Sequence, residues 1–262
     1  MGLARKVYSR RLMIWTMAVR QIQSRYAGSV GGFLWAIVCP LMTVLIYWFV
    51  FSVGLRVRPV GDLPFVVVLF CGLTAWTLFS ETVLMSLTSV MANKHLVSKT
   101  VFPTEVLPLV CLVAGLVTHV IMVVILIALV LANGISLSAY ALQWPYYVVG
   151  LSVLLLGLGW LLAALNVFYR DTGHAVGIIL NLWFWMSPIV WAMESIPKQY
   201  HFYLKLNPLC YIVEGYKACF LYPKPFWHNW TEGIYFWVVS LAMLVGGGLF
   251  FRRLKSGFAD VI

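Results

Sequence analysis

Six long apolar stretches constrain this chain more than any other feature of its sequence. Each has roughly the 20 residues that a helix rising 1.5 Å per residue needs to cross a hydrocarbon core of about 30 Å. The stretches cover residues 33–55, 64–92, 104–132, 144–168, 173–193 and 231–251. Of the 262 residues, 63% are hydrophobic and only 10% are charged, which excludes an ordinary soluble domain. The sequence therefore predicts an all-α polytopic membrane protein with six transmembrane helices.

The net charge of +10 points to a membrane rather than to nucleic acid, because the basic residues lie mainly on one side of the predicted spans. Twelve Lys and Arg residues fall in the N-terminal segment, the loops 93–103 and 170–172 and the C-terminal tail, against six on the opposite side. Cytoplasmic segments carry this excess in membrane proteins. We therefore expect a multi-pass protein of the cytoplasmic (inner) membrane, with both termini in the cytoplasm and no nucleic-acid partner.

Residues 1–30 are too basic and too mixed to form a span, and they predict an amphipathic helix. Apolar residues recur there at helical spacing between the basic ones, namely at Val7, Leu12, Trp15, Val19 and Ile22. Trp beside a basic face is typical of a helix that lies in the membrane interface. A solvated cytoplasmic helix that binds a partner is the alternative.

Two connecting segments are too patterned to be simple loops. In residues 93–103, Leu96 and Val97 favour one apolar side of a short helix that ends before Pro103. Such a helix suits docking onto a soluble partner, although an ordinary interfacial connector would look the same. Residues 194–230 are too long for a hairpin and too polar for a seventh span. They predict re-entrant or capping helices on the external side before the last span.

The chain lacks the motifs of the common catalytic and metal sites. It has no G-x-x-x-x-G-K-[ST] loop for ATP phosphates, no H-E-x-x-H and no G-x-S-x-G. Glu81 lies inside an apolar stretch, so we expect it to face the protein interior or to be partly protonated. Cys210 and Cys219 fall in the external segment, but a helix there would hold them too far apart for a disulfide.

Six short motifs, in this order around the six spans, carry a resemblance to a known family. They are SRYAGSVGGFLWAIVCP at 24–40, YWFVFSVGLR at 47–56, NKHLVSKTVFPTEVLPL at 93–109, LNVFYRD at 165–171 with SPIVW at 187–191, LNPLCYIVEGYKACFL at 206–221, and the ending FADVI. The chain resembles the permease subunits of ABC-2-type exporters of lipid-linked polysaccharides. That group covers O-antigen, capsular polysaccharide and wall teichoic acid export, and the resemblance leaves the glycan open among them.

The resemblance implies an architecture and a set of partners. Residues 1–30 would form a cytoplasmic interfacial helix, and residues 31–262 would form the six-span ABC-2-type domain with an external re-entrant segment at 194–230. The permease would pair with a second copy of itself and with two copies of a P-loop ATPase that binds ATP and Mg, so this chain needs no cofactor. A lipid-linked polysaccharide, membrane lipids and a periplasmic or outer-membrane export partner complete the expected partners.

Three groups of residues are expected to carry this function. The coupling helix at 93–103, which would seat in the ATPase, has Asn93, Lys94, His95, Leu96, Val97, Ser98, Lys99, Phe102 and Pro103. Arginine binds phosphate through paired hydrogen bonds, so the lipid phosphate is expected at Arg20, Arg25 and Arg170. For Arg170, a local pair with Asp171 or a cap on a helix end is the alternative. Aromatic rings can stack on sugars, so a glycan conduit is expected at Trp35, Trp48, Trp183, Trp185 and Tyr169. For each of these aromatics, packing against lipid is the alternative.

The leading hypothesis from sequence is therefore ATP-driven export of a lipid-linked glycan by a complex whose ATPase is a separate subunit. A membrane scaffold that recruits a soluble protein through its basic N-terminal helix is one alternative. An ion-coupled carrier of small solutes is the other, although Glu81, as one acid well inside an apolar stretch, supports it weakly.

Overall fold

The computed structural model describes residues 10–26, 28–29, 31–56, 63–99, 102–169 and 171–261. In those ranges the regular elements are helical and no β-strand is present. The α-helices are α1 (Arg11–Tyr26), α2 (Trp35–Trp48), α3 (Phe65–Ala92), α4 (Lys94–Lys99), α5 (Leu107–Ala132), α6 (Trp144–Phe168), α7 (Thr172–Trp185), α8 (His201–Lys205), α9 (Pro208–Phe220), α10 (Trp230–Leu254) and α11 (Phe258–Val261).

Within the described part of the chain, five helical segments are long and apolar enough to cross a membrane. They are Trp35–Gly54, Phe65–Ala92, Thr104–Ala132, Ala139–Phe168 and Phe226–Gly257. Short helical turns at their ends extend α2, α5, α6 and α10 to these lengths. The segments coincide with five of the six predicted spans, which confirms a multi-pass helical membrane protein.

The fifth predicted span, at 173–193, is helical over Thr172–Trp185 only. Its 14 residues reach about 21 Å, which is shorter than a hydrocarbon core. Pro188 explains why the helix stops, because proline lacks the N–H and its ring would clash with the carbonyl four residues earlier. The apolar run continues through Ile189 and Val190, but these side chains are buried in the protein instead of extending a lipid-facing helix.

Helix α3 is the centre of the bundle and packs on α5, α6, α7 and α9. Small residues allow the helices to approach closely, as is common inside membranes. A Cβ added to Gly115 of α5 would lie 2.4 Å from Thr82 Oγ1 of α3. Between α6 and α10 the contact is backbone to backbone, because a Cβ on Gly247 would lie 2.1 Å from the carbonyl oxygen of Gly157.

Helices α2, α7 and α10 lie at the outside of this bundle. Their outward sides present large apolar residues, including Leu45 and Ile46 of α2, Ile178 and Leu182 of α7, and Val238 of α10. Exposed apolar surface of this extent must be covered by lipid or by another subunit.

The segment at 194–230 has short helices, as the sequence predicts. Helix α9 is mostly buried and packs on α3, α6 and α10, so it belongs to the core of the bundle. Asn207 caps its first turn by accepting a hydrogen bond from the Leu209 N–H at 2.9 Å. Cys210 and Cys219 both lie in α9 and are free thiols, as expected for cysteines on one helix.

Candidate functional site

Helix α1 lies against α5 mainly through residues that the sequence pattern did not single out, together with Ile22 of the predicted stripe. Ile14 and Ala18 are buried against Val106, Val110 and Ala114 at the start of the α5 segment. Of the predicted apolar stripe, Leu12 and Trp15 point away from the protein, with 77% and 55% of their surface exposed. The helix therefore has two apolar sides, one covered by protein and one available to a membrane.

The C-terminal end of α1 is fastened to the middle of α3 by an ion pair. Arg25 Nη1 donates to Glu81 Oε2 at 2.9 Å, and both side chains are about one-third exposed. Glu81 therefore has a cationic partner in the structure. Because Arg25 is already paired with a carboxylate, a phosphate would have to compete with Glu81 for it.

A cavity of about 570 Å³ lies between α1, the end of α3, α4 and the start of α5. Its polar wall comes mainly from Arg20, Gln21 and Ser24 of α1 and from Asn93, and Leu96 of α4 adds an apolar side chain. Arg20 therefore projects into a space that is lined by both polar and apolar groups. Such a space suits an anionic head group with an apolar tail.

The three arginines expected to bind lipid phosphate are thus placed differently. Arg20 lines the large cavity, and Arg25 is paired with Glu81. Arg170 lies outside the described residues. Arg20 and Arg25 therefore lie on one helix, but their side chains do not meet at one site.

The predicted coupling segment forms a short helix, α4, directly after α3. Asn93 makes the turn, since its Nδ2 donates to the Ser89 carbonyl at 2.8 Å while its own carbonyl accepts from the Leu96 N–H at 2.9 Å. Lys94, His95 and Leu96 are exposed. The outward surface of this helix is therefore basic with one apolar residue.

Other residues of the coupling segment face the protein itself. Val97 and Phe102 pack against a buried cluster that includes Val90, Trp160 and Phe258. Pro103 is half-buried, and the side chains of residues 98 and 99 lie outside the described part. Of the apolar residues Leu96, Val97 and Phe102 in this segment, Leu96 is the one whose side chain is exposed. Phe258, in the C-terminal FADVI motif, belongs to the cluster that Val97 and Phe102 contact.

The five predicted conduit aromatics do not form one cluster. Trp35 and Trp48 of α2, Trp185 of α7 and Tyr169 are exposed. Trp183 is half-buried, and its Nε1–H donates to Asn207 Oδ1 at 2.6 Å, so it supports α9. Four of the five are therefore available to a neighbouring molecule, and Trp183 is engaged within the protein.

The contact between α2 and α7 is itself aromatic and was missed by the sequence analysis. The Tyr47 and Phe184 ring centroids are 6.0 Å apart, and the Trp76 ring of α3 lies 5.4 Å from Phe184. Trp48 and Trp185 each follow one member of this contact in sequence and remain exposed. The two helices that carry four of the five predicted conduit aromatics are thus neighbours.

A polar network that sequence reasoning also missed fastens α9 to the end of α7. Lys217 is only 3% exposed, and its Nζ donates to the Pro188 carbonyl at 2.6 Å and to Glu214 Oε1 at 2.9 Å. Asn207 Nδ2 donates to Ser187 Oγ at 3.0 Å. A lysine and a glutamate three residues apart in an apolar run were the available signal, because such charges are buried only when paired.

Comparison with known proteins gives concordant matches. The family described as ABC-2 type transporter matches residues 13–221. The chain is 30% identical to the O-antigen export system permease protein RfbA of Myxococcus xanthus, covering 99% of each protein. It is 27% identical to a permease of the same name from Klebsiella pneumoniae, covering 93% of this chain and 92% of that one. With the polysialic acid transport protein KpsM of Escherichia coli it shares 26% identity over 78% and 79%.

Proposed function

The chain belongs to the ABC-2 type transporter family, and from this premise we propose that it exports a lipid-linked cell-surface polysaccharide across the cytoplasmic membrane. Permease subunits of this family lack the ATPase, which sits on a partner. The observation that carries the substrate class is the similarity to an O-antigen export permease along 99% of both chains. We further propose two permeases and two ATPases per complex, with ATP and Mg held by the ATPases.

The O-antigen class is favoured over the polysialic acid class by coverage. The match to the Myxococcus permease extends over the whole chain, whereas the match to KpsM covers 78% of it. A capsular polysaccharide is therefore the second candidate substrate. Teichoic acid remains the third expectation from the sequence motifs.

The proposed topology has six crossings, with both termini and α4 in the cytoplasm. Helix α7 makes the fifth crossing, although its 14 residues are short for a bilayer. The buried turn after Trp185 and helix α9, which is mostly buried in the protein, complete the passage toward the external side. The excess of basic residues in the segments assigned to the cytoplasm supports this orientation.

The cavity lined by Arg20 is the proposed entry site for the lipid carrier's phosphate. It has polar residues from α1, namely Arg20, Gln21 and Ser24, and apolar walls from Met17, Met85 and Val110. Leu96 lines this cavity and is also exposed on the coupling helix. A carrier lodged there would touch the helix that we place in the ATPase, so occupancy would be sensed by direct contact.

The proposed conduit lies between two permease copies, along the exposed sides of α2 and α7. Both helices present tryptophans there, and a polymer that slides must not be held tightly at any point. Aromatic contacts of about 0.5–1.5 kcal/mol each meet that need. Trp35, Trp48 and Trp185 carry the proposal, with Tyr169 at the cytoplasmic end of α6.

Depletion of this chain in the producing cell tests the proposed function. The lipid-linked glycan should accumulate on the cytoplasmic side and disappear from the cell surface, and re-expression should restore it. Surface glycan that persists at its normal level without the chain would contradict export by this permease. Loss of a soluble protein from the membrane, with export intact, would instead support the scaffold hypothesis.

A further inference from the structure

Helix α10 leaves an apolar groove open beside α6. The groove has a volume of about 220 Å³ and is lined on α10 by Leu244, Val245, Gly248 and Leu249. Trp160 of α6 makes one wall, and a Cβ on Gly248 would lie 3.5 Å from the Trp160 ring. A side chain larger than alanine at residue 248 would therefore extend into this space.

The wall made by Trp160 presents carbon to the groove. Its Nε1–H donates to the Glu105 carbonyl at 2.9 Å, so the polar edge of the indole is already satisfied. From Leu244 to Arg252 the groove follows about 12 Å of helix, most of the roughly 15 Å that one leaflet's hydrocarbon layer occupies. This length matches the part of an acyl chain that lies nearest the head group.

One end of the groove is positively charged. Arg252 lines it there, on the last turn of α10. The groove's one acidic residue, Glu105, is paired with Lys255 at 3.0 Å. Among the described residues no carboxylate forms an ion pair with Arg252. The apolar groove thus ends at a guanidinium, which the proposed topology places near the cytoplasmic head groups.

We propose that this groove binds an anionic phospholipid of the cytoplasmic leaflet. The phosphate lies at Arg252, where a guanidinium can form paired hydrogen bonds, and an acyl chain lies along Val245 and Gly248. The proposal rests on the cytoplasmic placement of the C-terminus and is independent of the glycan. The occupant is a membrane phospholipid rather than the glycan carrier, because the groove is smaller than the cavity at Arg20, at about 220 against 570 Å³, and is lined mainly by apolar residues.

Native mass spectrometry of the permease–ATPase complex tests this proposal, with phosphatidylglycerol and phosphatidylcholine of the same acyl chains as probes. The unmodified complex should retain phosphatidylglycerol preferentially. Arg252→Gln should weaken that binding about fivefold, the effect of one basic residue at an anionic surface. Arg253→Gln is the matched control, since Arg253 is the next residue, is also exposed and does not line the groove.

Two results would overturn the proposal. One is equal binding of the two lipids by the unmodified complex, and the other is equal weakening by the two arginine variants, which would indicate general surface charge. Gly248→Leu fills the groove and should weaken both lipids, with assembly onto the ATPase as its folding check. If that variant does not assemble, the arginine pair still decides. No glycan is measured, so a failure here is distinct from a failure of the export function.

Discussion

Arg25 at the end of α1 and Glu81 inside α3 form an ion pair of 2.9 Å, although 56 residues separate them in sequence. Glu81 lies about 16 Å along the helix from the C-terminal end of α3, so the pair reaches well into the predicted membrane span. It connects α1, which lines the proposed entry site, to α3, the central helix of the bundle. A contact of this kind can hold α1 in place until a competing anion arrives.

Replacing Glu81 by Gln should release the end of α1 without unfolding the protein. Because both side chains are about one-third exposed, the free energy of unfolding should change by less than about 1 kcal/mol. We expect the basal ATPase activity of the complex to rise, since α1 is no longer held. The charge-swapped variant, Arg25→Glu with Glu81→Arg, should restore the low basal activity. Unchanged basal ATPase activity in Glu81→Gln would contradict the idea that this ion pair holds α1 in place.

Leu96→Asp should uncouple ATP hydrolysis from export. The side chain is exposed on α4, and a carboxylate there would be placed in the proposed apolar contact with the ATPase. We expect glycan export to fall about tenfold, which corresponds to loss of a central interface residue. Leu137→Asp is the control, because Leu137 is 37% exposed against 36% for Leu96 but lies in the loop at the opposite end of α5. Equal glycan export by the two variants would show that α4 is not the coupling element.

Arg20→Lys should weaken stimulation of the ATPase by the lipid-linked carrier more than it weakens basal activity. Lysine keeps the charge but cannot form the paired hydrogen bonds that arginine makes with phosphate. Arg11→Lys is the comparison, since Arg11 lies at the start of the same helix and does not line the cavity. A parallel loss of basal and stimulated activity in Arg20→Lys would point to a structural role.

Gly247→Ala should destabilise the permease, whereas Gly246→Ala should not. A Cβ at residue 247 would overlap the Gly157 carbonyl, and the required shift of α10 should cost about 1–3 kcal/mol. At residue 246 nothing lies within 4 Å of the added Cβ. Thermal unfolding in detergent compares the two, and equal midpoints would mean that α6 and α10 are not in the close contact described.

The sequence predicted the long helices because length and hydropathy alone define them. It could not predict the early end of α7, because Ile189 and Val190 are apolar for burial in protein and look the same as lipid-facing residues. In the sequence, only Pro188 indicated that the helix ends early. Where a segment is apolar on every side, composition does not distinguish a membrane span from a buried turn.

The candidate site was predictable in its segments but not in its contacts. Helix α1 was expected, yet its protein-facing side uses Ile14 and Ala18, while the conspicuous Leu12 and Trp15 face outward. The partners Arg25 and Glu81 come from distant parts of the chain. Neither periodicity nor charge counting can pair such residues, because both describe one helix at a time.

Transport by inside-out membrane vesicles is the decisive test of ATP-driven export by this permease. The vesicles contain this chain with its ATPase, and lipid-linked O-antigen glycan and ATP are supplied at the exposed cytoplasmic face. The glycan should become protected from an added glycosidase only when ATP, this chain and a hydrolysis-competent ATPase are all present. Protection that needs neither ATP nor the ATPase would contradict ATP-driven export by this permease. So would a lack of protection despite active hydrolysis by the assembled complex.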